Sequence, residues 1–322
     1  MGSYRSIKNK IFNKSKAINH TFIFELKRYK YENVILLLGS GRSGTTWISN
    51  IINYRNDYRY VFEPFNTRTS NTLKKHFNYL HYLNYDNSDS NAYKIISDII
   101  HGKVNNVWVN SFNRRINSKE ILIKDIRANL MAYYIYNHFT EIPIVFVIRH
   151  PLAVTYSKMK LNWDTHLDLY LSQNELIANH LFDQKDYIKF INEKGTKFQK
   201  HIVMWCIENY VPLNQFQLND IHFTFYENLI FSPKKEFERL FNYLNKEFND
   251  EIFRILKTPS PVARTESSLF TGQSMITSWE GKYSNEEKNQ AMDILKKFNL
   301  EQLYTSDSLG DYNTLKKILS NS

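Results

Sequence analysis

Five short apolar runs punctuate the chain. "VILLL" (34–38) contains no polar position, the pattern of a strand covered on both faces. "YRYVFEPF" (58–65) reads as a second strand, stopped at Pro64, and "EILIKD" (120–125) as a third. "IPIVFVIRHP" (142–151) is a fourth, ended by Pro151, and "IHFTFY" (221–226), alternating after Ile221, is a fifth. Helical segments fall between them: 44–53, 128–138, 151–160, most of 165–219, and 232–257. Pro151 suits a first helical turn. Ser284 followed by Glu287 is a capping box, which starts a last helix. Strands alternating with helices predict an α/β fold, a parallel β-sheet flanked by helices. Residues 66–118 read as a polar, partly helical insertion. Residues 258–283, rich in Ser, Thr, Gly and Pro, read as a long functional loop. No linker composition splits the body, so the expectation is an arm over 1–32 and one domain over 33–322.

The first strand runs into the glycine turn "GSGRSGTTW" (39–47) and then a helix. Such a turn exposes several backbone N–H groups beside the positive end of the helix dipole, and together they cradle an anion. Arg42, Ser43, Thr45 and Thr46 add side-chain donors. The triphosphate-binding version, G-x-x-x-x-G-K-[ST], carries a lysine where this chain has Thr45. A triphosphate needs that lysine and a magnesium ion on its distal oxygens; a single phosphate bearing one transferable group needs less. The fourth strand ends in Arg149 and His150 rather than in a carboxylate, and Asp125 has Lys124 beside it. Cationic side chains therefore take the place of a metal. The histidines have no ligand spacing, and the single cysteine, Cys206, offers no partner set for zinc.

These residues carry a family resemblance. "GSGRSGTTWISNII" resembles the 5′-phosphosulfate loop of sulfotransferases that use 3′-phosphoadenosine 5′-phosphosulfate (PAPS). "VFVIRHPLAVTYSKMK" resembles their 3′-phosphate strand–turn–helix, with Arg149 and Ser157 at the family's arginine–serine spacing. "FTFYENL" resembles the strand whose tyrosine lies near the adenine, which maps to Tyr226, and Trp47 matches the tryptophan that stacks on that base. "TSWEGKYSNEEKNQAMDIL" is similar to the closing tryptophan and helix. The motifs keep the family's order across about 33–300. The resemblance implies a P-loop-type sulfotransferase domain with PAPS as donor and no metal. Its nucleotide site would comprise Arg42, Ser43, Gly44, Thr45, Thr46, Trp47, Arg149, Ser157 and Tyr226, with Arg264 of the late loop as a second 3′-phosphate contact. Arg42 stands where the family has a lysine and would stabilise the leaving phosphate by charge and hydrogen bonds, because an arginine does not readily give up a proton.

The acceptor must lose a proton. The small-molecule branch of the family has Lys-Thr-His at the third strand; this chain has Lys124, Asp125 and Ile126, so the histidine is missing. "YRYVFEPFN" supplies the Glu-Pro pair of the carbohydrate branch, and "IKDIR" resembles its Lys-Asp-x-Arg segment. Glu63 is thus the candidate base, with a pKa raised by partial burial, and Lys124 faces the sulfuryl site. Asp125 would orient Lys124 or Arg127. His150 reads as structural. Phe62, Phe65, Tyr79, Tyr82 and Trp108 are candidates to stack on sugar rings. The favoured acceptor is a carbohydrate or glycolipid hydroxyl or amine, with a small hydroxylated metabolite as the alternative. A kinase or NTPase would need the loop lysine.

Charge changes the picture at one end only. The net charge is +10, and residues 1–30 hold eight Lys and Arg against one Glu. The arm is suited to an anionic surface such as a membrane. No nucleic-acid motif accompanies it. With no signal-like or spanning apolar run and one cysteine, the expected location is cytoplasmic.

Overall fold

A computed structural model describes residues 15, 18–24, 33–253, 276–304 and 308–320. All five predicted strands form one parallel sheet in the order β2-β3-β1-β4-β5. The strands are β1 (Asn33–Gly39), β2 (Tyr58–Phe62), β3 (Glu120–Lys124), β4 (Ile144–Ile148) and β5 (His222–Phe225). β1 is central, with Leu36 opposite both Ile123 of β3 and Ile144 of β4.

The period of two along the strands sorts side chains into two cores. Leu36 and Leu38 of β1, Ile121 and Ile123 of β3, and Ile144, Phe146 and Ile148 of β4 face the larger one. Ile35, Leu37, Leu122, Val145 and Val147 face the smaller one. α1 (Thr45–Ile52) packs on the smaller side through Trp47, Ile48, Ile51 and Ile52. The larger side takes α2 (Asn71–His76), α3 (Ser90–Ile100), α4 (Ala132–His138), α5 (Pro151–Lys160), α6 (Leu167–Leu171), α7 (Asn174–His180), α8 (Lys185–Lys194) and α9 (Lys197–Gln215). α9 starts on a capping box formed by Thr196 and Gln199 and runs through the core with Trp205 and Ile207 fully covered. α10 (Tyr226–Phe231) and α11 (Pro233–Tyr243) return to the smaller side. α12 (Asn285–Lys296) begins on the predicted Ser284–Glu287 box, and α13 (Tyr312–Ser320) follows.

Several boundaries are tighter than the sequence pattern. β2 ends at Phe62 because Glu63 adopts φ +46°, which leaves the extended region. The 165–219 stretch breaks into four helices, and the helix expected over 232–257 is α11, which stops at Tyr243. The 66–118 segment is an insertion with two helices, α2 and α3. Most of the 258–283 loop, with Arg264, lies outside the described residues.

Because every strand is parallel, the loop after β1, Glu63 after β2, Asp125 after β3, Arg149 after β4 and Tyr226 after β5 all emerge at the carboxyl edge of the sheet, where open α/β folds bind ligands. Phe146 sits at the middle of β4 with no exposed surface and rests on Phe223. Phe146→Ala should cost about 3–5 kcal/mol, read as a lower midpoint in urea denaturation at unchanged slope.

Candidate functional site

The turn after β1 is built by glycines at positions where a side chain has no room. Gly44 has φ +85°, and a Cβ there would lie 2.3 Å from the Tyr226 ring. Gly39 has φ +152°, and its Cβ would meet the Val147 carbonyl at 2.6 Å. The loop is pinned from the larger core: Asn129 Oδ1 accepts from the Gly39 amide at 3.2 Å, and Asn209 Nδ2 donates to Ser40 Oγ at 3.4 Å. α1 then starts from Gly44 with no side-chain cap and no acid in its first turn. Its leading amides keep their positive partial charge for an anion.

The β4–α5 corner closes on the same loop. Arg149 Nη1 donates to the Arg42 carbonyl at 2.9 Å, and Arg42 Nε donates to Ser157 Oγ at 2.9 Å. The Arg149 carbonyl in turn accepts from Trp205 Nε1 at 2.9 Å. The Arg149 guanidinium lies 4.4 Å over the Tyr226 ring, and Tyr226 meets Trp47 edge to face at 5.5 Å. Arg42, Ser43, Gly44, Thr45, Thr46, Trp47, Arg149, Ser157 and Tyr226 are therefore gathered in one place. Two donors in this cluster, Ser43 Oγ and Trp47 Nε1, are buried without a hydrogen-bond partner. Unsatisfied buried donors beside an open helix end fit a polar, anionic ligand such as the phosphosulfate and nucleotide of PAPS.

Glu227 backs the cluster. Its Oε1 accepts from the His150 amide at 3.0 Å and lies 3.9 Å from Arg149 Nε, and its Oε2 accepts from Tyr304 OH at 3.3 Å. Burial pushes its carboxyl up to about 7, against the opposing pull of Arg149. His150 stacks on Trp279 at 4.4 Å, and burial lowers its pKa to about 3. It is a neutral packing residue.

The residues after β2 and β3 form a second charged group. Glu63 Oε1 lies 2.6 Å from Lys124 Nζ, and its Oε2 lies 2.7 Å from Arg127 Nη1. Its backbone is held as firmly: the amide donates to the Lys124 carbonyl at 2.7 Å, and its carbonyl accepts from Trp108 Nε1 at 3.2 Å. These contacts over-determine its left-handed backbone. Burial alone would raise the Glu63 carboxyl, but Lys124 and Arg127 outweigh it and hold the pKa below the usual carboxylate value. The raised pKa expected from the sequence is thus replaced by a lowered one. Burial also lowers Lys124, with Glu63 acting in the other direction. Asp125 acts on Lys124 and Arg127 through its charge, and its oxygens accept from the Phe65 amide at 2.9 Å and the Arg127 amide at 2.7 Å.

A cavity of about 340 Å³ opens against the donor loop. Gly41, Ile126, Tyr79, Trp163 and His166 line it, and Arg68, Arg127, Lys158 and Glu208 supply charge. Trp163 presses on the loop so closely that a Cβ at Gly41 would lie 2.6 Å from its ring. Glu208 is shared by Lys158 Nζ at 3.4 Å and Tyr170 OH at 3.1 Å. Of the aromatic residues expected to meet an acceptor, Tyr79 lines this cavity. Phe62, Phe65 and Tyr82 are core, and Trp108 packs on Phe62 at 5.3 Å. Sequence reasoning missed Trp163, His166, Lys158 and Glu208. They come from α5, α9 and the turn between α5 and α6, and no local motif joins them. Among the described residues no group of three or more His, Cys, Asp or Glu is arranged to hold a metal ion.

Comparison with known proteins identifies the family. The family model described as the sulfotransferase domain matches residues 32–290. The chain belongs to this sulfotransferase family, and it is an enzyme that uses PAPS as sulfuryl donor. Solved structures similar in fold include the sulfotransferase domain of the curacin biosynthetic pathway (13% identity, 84% of this chain and 98% of that one, TM-score 0.45). A mouse sulfotransferase, SULT7A1, complexed with PAP matches at 11% identity over 94% and 93% of the two chains, TM-score 0.42. A retinol dehydratase in complex with androsterone and PAP matches at 15% identity over 93% and 88%, TM-score 0.42. No curated protein matches the chain.

Two expectations follow. Arg149→Ala should weaken PAP binding by about 30-fold or more, because a desolvated charged contact is worth about 2–5 kcal/mol, while Ser157→Ala should cost less; calorimetry measures both. Glu227 has a folded pKa above its unfolded value, so its contribution to stability is fully present at acid pH and is lost as pH rises through about 7. Glu227→Gln should therefore gain on the native enzyme between about pH 5 and 8, by on the order of 1–3 kcal/mol, in paired denaturation curves.

Proposed function

We propose that the enzyme transfers the sulfuryl group of PAPS to a hydroxyl or amine of a carbohydrate or glycolipid held in the cavity beside the donor loop. One observation carries this reading: the cavity that Gly41 of that loop lines is lined also by Tyr79, Trp163 and His166. Its volume suits one or two sugar rings. Tyr79 and Trp163 give it aromatic lining, and Arg68, Asn162, Asp164 and Glu208 offer hydrogen bonds. The same dimensions also suit a small hydroxylated metabolite. A cytoplasmic setting is proposed with it, on the single cysteine.

PAPS supplies an activated sulfuryl group on a phosphate that departs with its negative charge. This chain supplies the rest. The free amides at the start of α1, with Ser43, Thr45 and Thr46, hold the phosphosulfate end. Arg42, steadied by Ser157, lies beside the leaving oxygen and stabilises its charge without giving up a proton. Arg149 and Ser157 hold the 3′-phosphate, and Trp47 and Tyr226 flank the base. Lys124 offers a second cation to the sulfuryl oxygens.

Two residues compete to accept the acceptor's proton. Glu63 is the candidate read from the Glu-Pro pair, and it is ionised. Both its oxygens, however, are engaged by Lys124 and Arg127, and it is not among the residues that line the cavity. His166 does line the cavity, with its ring edge to face on Tyr79 at 5.5 Å. Burial lowers its pKa from 6.5, Arg68 adds to this, and Asp164, Asp168 and Glu208 oppose it. The ring is neutral at neutral pH and able to take a proton. We assign the proton to His166 and give Glu63 the task of fixing Lys124 and Arg127.

The test is sulfate transfer from labelled PAPS to a panel of mono- and disaccharides and small phenols, followed by pH–rate profiles on the best acceptor. His166→Gln should lower kcat by about 10²–10⁴-fold with PAP binding unchanged. In the native enzyme kcat should fall as pH drops below the ordinary histidine range, and the variant should lose that limb. If Glu63→Gln removes the limb instead, the roles are reversed.

A further inference from the structure

The helical residues 18–24 have two apolar faces. The inner face is occupied. Phe24 is buried over the Arg59 guanidinium at 4.0 Å, and His20 is buried at 3.3 Å from Asn113. Arg59 is itself anchored by the carbonyls of Gly102 at 2.6 Å and Val104 at 3.1 Å. Thr21 fixes the rotation of the helix, because its carbonyl accepts from Asn105 Nδ2 at 2.7 Å and its hydroxyl from Asn110 Nδ2 at 3.0 Å.

The outer face is not covered. Ile18 and Phe22, four residues apart and so on one side of the helix, are 50% and 63% exposed. Val107, between the two asparagines that hold Thr21, is 36% exposed. Two exposed arginines belong to the segment that holds this helix. Arg114 and Arg115 follow Asn113, whose side chain binds His20 and the Arg115 carbonyl. Lys103, next to Gly102, pairs with Asp98. In the sequence the helix lies within the 1–30 segment that holds eight Lys and Arg against one Glu, with Lys14 and Lys16 before it and Lys27, Arg28 and Lys30 after it.

We infer that this face docks the enzyme onto an anionic phospholipid bilayer, with Ile18, Phe22 and Val107 entering the interface and the basic residues meeting the headgroups. Exposed apolar side chains on a helix pinned to the body, in a segment of strongly basic sequence, match the interfacial mode of membrane binding. A protein partner of ordinary surface would not call for such one-signed charge, and a nucleic acid would not call for the apolar tip. The assignment is independent of the chemistry at the sheet edge.

The full-length enzyme should co-sediment with phosphatidylcholine vesicles that contain phosphatidylserine, and not with phosphatidylcholine alone. Ile18→Ser with Phe22→Ser should weaken this binding about tenfold or more, and Arg114→Glu with Arg115→Glu should weaken it at low salt. PAP binding should be unchanged in both variants, which shows that they fold. Absence of binding to the anionic vesicles overturns the assignment. So does binding that high salt abolishes but Ile18 and Phe22 do not influence, because that is a tether by charge alone. Loss of a solution dimer in the serine variant, with no vesicle binding by either form, assigns the face to a second copy of the chain instead.

Discussion

The contact on which the site depends is the approach of Tyr226 to Gly44. The tyrosine ring occupies the space where any other residue would carry its Cβ, so β5 and the donor loop meet with nothing between them. Arg149 then lies on the same ring, and its guanidinium reaches the carbonyl of Arg42. Three segments far apart in sequence are thus fixed by one aromatic ring and one glycine. A backbone at φ +85° is strained for other residues, so sterics and conformation enforce the same choice.

Around this contact the protein buries charge on a scale that stability alone does not explain. Glu63 with Lys124 and Arg127, Glu208 with Lys158, and Glu227 with Arg149 are all nearly inaccessible. Desolvating such pairs costs about as much as their attraction returns. All three lie at the carboxyl edge of the sheet or along the cavity. Their common property is that they hold cations in fixed positions next to a space that receives an anion. Fixed cations need no rearrangement as charge develops on a leaving group, which is where a preorganised site gains over water.

The fold was legible because β1 and β4 carry unbroken apolar runs, as a sheet covered on both faces requires, and the other strands are short apolar-rich stretches between turn formers. The donor half was legible for a related reason. Its residues occur in continuous stretches, 39–47, 149–157 and 226, each tied to one strand end. The acceptor half was not, because it is assembled by packing. Tyr79 comes from the insertion, Lys158 from the far end of α5, Trp163 and His166 from the turn that follows, and Glu208 from the fourth turn of α9. The state of Glu63 was hidden for the same reason. Its identity is local, but its lowered pKa is set by Lys124 and Arg127, which lie some sixty residues further along the chain.

The two halves are joined by α5. Ser157 on this helix steadies Arg42 in the donor loop, and the next residue, Lys158, turns to Glu208 in the cavity wall. A few residues further on, Trp163 lies against Gly41 from the acceptor side, its backbone N–H bonded to the Lys158 carbonyl at 3.0 Å. Neighbouring residues of one rigid helix therefore touch the donor loop and the cavity wall, which on the proposed reading hold the group that departs and the group that attacks. In-line transfer needs the two at a fixed separation, and a single helix sets that separation more rigidly than two loops would. Ile126 stands where the small-molecule branch of the family has its strand-end histidine. With the proton assigned to His166 as proposed, the acceptor of the proton lies just beyond α5, the element that also carries Ser157 to Arg42.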